Sequence, residues 1–169
     1  MNTDERRAKI IELLRSEKRP FSGSELAGFF QVTRQVIVQD IAILRAAGND
    51  IIATSQGYMM KQPYEFCSKK IAVCHAEEKT REELLTFVEC GCKVIDVIVE
   101  HPLYGELRGM LMLQDSGDVE EFIKKVEKSN ATLLSRLTRG VHLHTVEALN
   151  EDSIKKAEEL LREKGVLLE

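Results

Sequence analysis

Thr33-Arg34-Gln35-Val36-Ile37-Val38-Gln39-Asp40-Ile41-Ala42-Ile43-Leu44-Arg45 decides the first third of the chain. Val36, Ile37, Ile41 and Leu44 recur at helical spacing and predict one buried stripe. Thr33 is placed to cap the helix, which is expected to run to Ala47, and Gly48 stops it. The opposite face carries Arg34, Gln35, Val38, Gln39, Ala42 and Arg45. Guanidiniums and amides near an exposed helix start are the groups that read base edges in a major groove, since Arg pairs with guanine and Gln with adenine. A capped helix N-terminus also suits a phosphate contact, which makes Thr33 part of the same candidate surface. The competing reading is a three-helix interaction domain whose polar face is only solvated.

Upstream, Ile10, Leu13 and Leu14 predict an amphipathic helix over residues 4–18, ended by Pro20. Ser22-Gly23-Ser24-Glu25 has capping-box spacing and opens a short helix through about Phe30, with Gln31-Val32 as a tight turn. Downstream, Asp50-Ile51-Ile52-Ala53-Thr54 and Tyr58-Met59-Met60-Lys61 flank Ser55-Gln56-Gly57 as a two-stranded hairpin. Helix, helix, turn, helix and hairpin is the order of a winged helix-turn-helix. Residues 1–62 hold nine Lys/Arg and seven acids, whereas the whole chain has a net charge of −4. A mildly basic end on an acidic body fits contact of that end with nucleic acid.

Pro63 marks a boundary, giving two expected domains, 1–62 and 63–169. In the second, Lys70 to His75 reads as a strand and Thr80 to about Cys90 as a helix. Lys93 to Glu100 and Glu106 to Gln114 read as paired strands around the turn His101-Pro102-Leu103-Tyr104-Gly105. Asp118 to about Asn130 is expected to be helical and Val141 to Val146 a strand. A last helix is capped by Asn150 and ended by Gly165. The class is α+β: the winged helix-turn-helix is followed by a ferredoxin-like α/β sandwich with one helix added. One sheet face would then be open for a partner, the natural surface for a homodimer.

The four histidines, His75, His101, His142 and His144, all lie in this second part. His142 and His144 are two apart on a strand and share a face. With His75 at a neighbouring strand end and Glu83 in the next helix, they make a competent divalent transition-metal set, and zinc, nickel, iron and manganese all fit it. Two plainer readings stand beside this one. Thr80 and Glu83 have capping-box spacing, and the histidines of a half-exposed strand need bind nothing. His101 is a candidate ligand-side contact or a structural turn residue. Tyr104 and Arg108 are candidate contacts for an aromatic anion, or packing and surface charge.

Cys67, Cys74, Cys90 and Cys92 form no CxxC pair and are expected to be reduced, small apolar residues. No run of about 18 apolar residues and no signal-like start are present, so a cytoplasmic protein without a membrane span is expected.

Ser24-Glu25-Leu26-Ala27, the segment 33–45 and Gly57-Tyr58 are similar to the biotin-repressor-like bacterial winged helix. Cys74-His75-Ala76, Val99-Glu100-His101-Pro102-Leu103-Tyr104-Gly105-Glu106-Leu107, Leu137-Thr138-Arg139-Gly140 and Val141-His142-Leu143-His144-Thr145 resemble the 3H domain, named for its histidines. Together they resemble the niacin-responsive transcriptional repressors. That resemblance implies a regulator of NAD biosynthesis and niacin salvage genes, with nicotinic acid as co-repressor. It also implies a divalent metal at His75, Glu83, His142 and His144, and dimeric binding to double-stranded operator DNA. Two other readings remain open: a metal-responsive repressor without an organic effector, and a metal-dependent enzyme carrying a regulatory DNA-binding domain. Against the enzyme, there is no second acid/base pair, nucleophile motif or phosphate loop.

Overall fold

A computed structural model of the chain describes residues 1–61 and 66–169. It divides into two compact units, Met1–Pro63 and Tyr64–Glu169. The boundary expected at Pro63 lies outside the described residues.

The first unit comprises α1 (Thr3–Ser16), α2 (Gly23–Phe30), α3 (Arg34–Ala46) and a hairpin of β1 (Ile51–Thr54) and β2 (Gly57–Met60). Helix α1 starts with a capping box between Asn2 and Glu5. The second box, Ser22 with Glu25, opens α2 as its spacing predicts. Gln31 takes a left-handed conformation (φ 54°) to end α2, and the Thr33 hydroxyl accepts the Val36 N–H at 3.3 Å to start α3. Ile37, Ile41 and Leu44 join Ile10, Leu14, Phe21 and Leu26 in one core.

The buried stripe of α3 departs from its predicted membership: Val36 is half-buried and Asp40 is buried. Arg6 Nε lies 2.6 Å from Asp40 Oδ2 and Arg7 Nε 2.9 Å from Oδ1. Burial opposes charge on Asp40, but the two guanidiniums outweigh it and hold the carboxyl below the usual carboxylate range. The pair of ion pairs ties α1 to α3, so the rotation of α3 about its axis is fixed by charge as well as by apolar packing.

Phe21 exchanges both main-chain hydrogen bonds with Tyr58, each 2.8 Å, which attaches the hairpin to the segment before α2. Gly57 has φ +135°, and a Cβ there would stand 2.3 Å from the Phe21 carbonyl oxygen. Gly57→Ala is therefore expected to cost about 2–4 kcal/mol of stability through backbone strain and overpacking together. Denaturant unfolding measures this; an unchanged midpoint would show that the hairpin adapts freely.

The second unit contains β3 (Cys67–Cys74), α4 (Thr80–Glu89), β4 (Lys93–His101) and β5 (Gly105–Leu113). After these come α5 (Ser116–Lys128), β6 (Val141–Ala148) and α6 (Glu151–Glu163). Short 3-10 turns at Glu77–Lys79 and Leu134–Thr138 were not expected from the sequence. The element order is the predicted one, with α6 as the added helix. The four strands form one antiparallel sheet in the order β3-β6-β4-β5. A ferredoxin-like sheet centres its first and third strands; here the second and fourth, β4 and β6, hold the centre. The outer edge of β3 is occupied by the segment after α6. The Cys74 N–H donates to Val166 O, and the Leu168 N–H donates to Ala72 O. With that edge taken, only β6 pairs with β3 inside the sheet. Helices α4, α5 and α6 share one apolar core with the sheet, built on Ile71, Val73, Phe87, Leu113, Val146 and Leu161. Among the described residues no helix is long and apolar enough to cross a membrane.

Candidate metal centre and DNA-reading helix

Strand alternation points His142 and His144 to one face, opposite Val73 and Ile71 of β3 in register. Both imidazoles are buried. His75 follows the end of β3, and its N–H meets the Gly140 carbonyl at the start of β6. Gly140 has φ +93°, and a Cβ there would stand 2.4 Å from the His75 carbonyl oxygen, so this approach requires glycine. It brings the His75 ring to 5.0 Å from that of His142, and His142 lies 4.9 Å from His144.

Glu83 enters from α4. Its side chain is 1% exposed, among Leu84 and Phe87 on the inner face. The capping-box alternative for this residue is not realised. Thr80 is the first residue of α4, no side chain caps that helix, and the Thr80 hydroxyl has no hydrogen-bond partner. The Glu83 carboxylate instead meets three imidazole Nε2 atoms, at 2.5 Å (His75), 3.3 Å (His142) and 3.0 Å (His144).

Each ring is held from behind. Nδ1 of His75 donates to Ala76 O at 2.7 Å, Nδ1 of His142 to Gly140 O at 2.8 Å, and Nδ1 of His144 to Asp96 O at 2.6 Å. A carbonyl accepts only, so each Nδ1 carries a proton. In the neutral ring the Nε2 lone pair then faces the cluster. Backbone carbonyls behind imidazoles are the usual second layer of a metal site. Ligand atoms of His75, Glu83 and His142 all lie within 4.8 Å of one another. The Nε2 of His144 and Oε1 of Glu83 are near neighbours without hydrogen-bond alignment, and both are buried without such a partner. Converging lone pairs and two orphaned buried atoms fit a divalent cation.

Electrostatics agree. Burial opposes charge on Glu83, yet the imidazoles of His144, His142 and His75 outweigh it and hold the carboxyl well below its usual range. Burial likewise opposes charge on His75 and His144, and the Glu83 carboxylate outweighs it, raising both. In the metal-free protein, protons on these rings thus compensate the buried carboxylate.

A small pocket of about 40 Å³ opens beside the cluster, with Glu83, His142 and His144 on one side. Leu84, Val97, Phe122 and Leu134 supply apolar walls, and Thr80 and Ser135 supply hydroxyls. His101, Tyr104 and Arg108, expected as ligand contacts, lie outside this lining. The Nδ1 of His101 accepts the Leu103 and Tyr104 N–H groups and caps the β4–β5 turn, which is its structural reading. Tyr104 is 70% exposed beside the His101 ring. Arg108 faces Asp96, Nε to Oδ2, at 3.4 Å.

Arg34, Gln35, Gln39 and Arg45 are all exposed on α3, and Thr33 is exposed at its start. Of the rest of the predicted reading face, Ala42 is exposed and Val38 is half-buried. Sequence reasoning gave no place in the site to Asp96, Thr80, Phe122 or Ser135. Only an aspartate within an otherwise β-branched strand gave a signal, and Asp96 is that residue.

Residues 6–59 match the family model of an HTH domain, and residues 68–169 match that of the 3H domain. The chain is 44% identical over 167 residues to the transcription repressor NadR of Bacillus subtilis, covering 96% of this chain and 93% of that protein. It is 43% identical over 165 residues to the probable transcription repressor NiaR of Thermotoga maritima, covering 98% and 94%.

The shifts within the cluster set a pH profile. Glu83 contributes stability above its unfolded value near 4.5, lost as pH falls through its folded value. His75 and His144, being raised, contribute fully below about 6.5 and lose that contribution as pH rises through their folded values. Chelator-treated protein is therefore expected to lose stability above pH 6.5, and added divalent metal to remove the loss. Denaturant unfolding across a pH series tests this; an alkaline limb indifferent to metal would contradict it.

Proposed function

The chain belongs to the family of transcription repressors that includes NiaR and NadR, and from that premise we propose that it represses NAD biosynthesis and niacin salvage genes. It acts in the cytoplasm as a homodimer on double-stranded operator DNA, with nicotinic acid as co-repressor. A divalent metal is held by His75, Glu83, His142 and His144. Relatives named as repressors point to a regulator rather than an enzyme.

The observation that carries this reading is the convergence of three imidazole Nε2 atoms on one buried carboxylate, each ring held by a backbone carbonyl. A metal bound there would supply positive charge and an open coordination position beside the pocket. The described residues lining that pocket include no lysine or arginine. A pyridine carboxylate therefore fits its apolar walls with its ring and depends on the metal for its counter-charge, while Thr80 and Ser135 offer hydrogen bonds. Nicotinic acid has this chemistry; nicotinamide lacks the charge.

On the DNA side, α3 offers Arg34, Gln35 and Gln39 to base edges, with Thr33 and Arg45 toward phosphates. A single helix reads few base pairs, so two copies on a palindromic operator supply affinity and specificity. Nicotinic acid regulates only by binding DNA-competent and incompetent arrangements unequally.

The deciding experiment is operator binding by chelator-treated protein with nicotinic acid alone, zinc alone, and both. Strong binding only with both is expected; unchanged affinity on adding nicotinic acid to the zinc-loaded protein would refute the co-repressor assignment. The double variant Arg34→Ala/Gln35→Ala is expected to weaken operator binding at least about tenfold with metal content unchanged, since a base contact is worth about 1–3 kcal/mol. His142→Ala with His144→Ala is expected to remove metal and the nicotinic acid response while the unit still folds, as judged by circular dichroism and metal analysis.

A further inference from the structure

The β4 strand is irregular where it passes the cluster. Against β6, Val94 pairs with Val146 and Ile98 with Leu143, so three β4 residues face two β6 residues. Against β5, Val94 pairs with Leu113 and Asp96 with Met110, so two β5 residues face one, and Met112 takes a left-handed φ of 59°. Two bulges thus flank Asp96. Bulges re-aim groups near functional sites.

What they re-aim here is a carbonyl. A regular ladder would use a β4 main-chain oxygen to accept the Thr145 N–H. Instead Asp96 Oδ1 accepts it, at 2.8 Å. The Asp96 carbonyl oxygen is thereby free to accept the Nδ1–H of His144 at 2.6 Å. The carboxylate that makes this exchange is 2% exposed, and its other oxygen faces Arg108.

We propose that Asp96 is a positioning residue for His144: its side chain replaces a ladder hydrogen bond, which releases its own carbonyl to fix the imidazole with Nε2 toward Glu83. Arg108, expected from the sequence to meet a ligand, supplies the charge that keeps the buried carboxylate in place. The proposal deepens the metal reading above and rests on it for its consequence in affinity; its geometric part holds without metal.

The test follows the imidazole N–H protons by NMR in full-length protein, metal-free and zinc-loaded, together with zinc affinity by chelator competition. Wild-type protein is expected to show a solvent-protected Nδ1–H on His144. Asp96→Ala is expected to lose that protection at His144 alone, with His75 and His142 unchanged, and to bind zinc about 10–100-fold more weakly. Asp96→Asn retains an amide oxygen for the Thr145 N–H, so with that hydrogen bond kept it is expected to hold both the protection and an affinity within about threefold of wild type. Three outcomes each overturn the proposal. In one, wild-type His144 lacks a proton on Nδ1. In another, Asp96→Ala loses protection at all three rings equally. In the third, Asp96→Asn loses His144 protection. If Asp96→Ala does not fold, the wild-type and Asp96→Asn spectra decide. Failure of wild-type protein to bind zinc would instead refute the metal reading, leaving the His144 proton to judge the position of the ring.

Discussion

The 3H unit is organised around one buried charge. Glu83 has its carboxylate almost wholly out of water, and a bare carboxylate there would be prohibitive without compensation. Compensation comes from His75, His142 and His144, drawn from the ends and faces of two paired strands. That requirement dictates much of the local backbone. Gly140 must be glycine so that β6 can begin against His75, α4 must turn Glu83 inward, and β4 must break its ladder beside His144. The main chain, more than side chains, holds the rings. A ligand set held by carbonyls tolerates substitution around it so long as the backbone path is kept.

The first unit uses the same device with different groups. Asp40 is the one charged residue on the inner side of α3, and Arg6 and Arg7 of α1 close on its two oxygens. Apolar packing alone lets a helix rotate by a few degrees at small cost. A bidentate charged contact resists that rotation, and the angle of α3 determines where Arg34, Gln35 and Gln39 point. Each unit therefore buries an acid and neutralises it with partners from other elements: Arg6 and Arg7 for Asp40, and His75, His142 and His144 for Glu83.

Much of this was legible from residues alone. Capping residues and the 3.6-residue period located α2 and α3, and strand alternation put His142 and His144 on one side. Periodicity reports an element's type and face, however, not its neighbours. The central place of β6 rests on its pairing with both β3 and β4, and nothing in the pattern within those strands reveals it. Asp40 and Asp96 were missed for a related reason. An acid inside an apolar stripe makes sense only once its partners, Arg6 and Arg7 or Arg108, are known. For His101 the sequence left two readings open, because a turn residue that caps its own hairpin has the same sequence context as one that meets a ligand; the structure shows the capping contacts. The pocket walls, Phe122 and Leu134 among them, carry no motif, because an apolar wall differs from a core residue only in having empty space beside it.

The placement of β6 between β3 and β4 also bears on how the chain folds. The β4–β5 hairpin can form locally, whereas both pairings of β6 join segments far apart in sequence, so loop closure makes them slow. His142 and His144 travel on that strand, while His75 and Glu83 belong to segments laid down earlier. The histidine–glutamate cluster is thus completed by the same event that completes the sheet, and partly folded chains would hold only half of it.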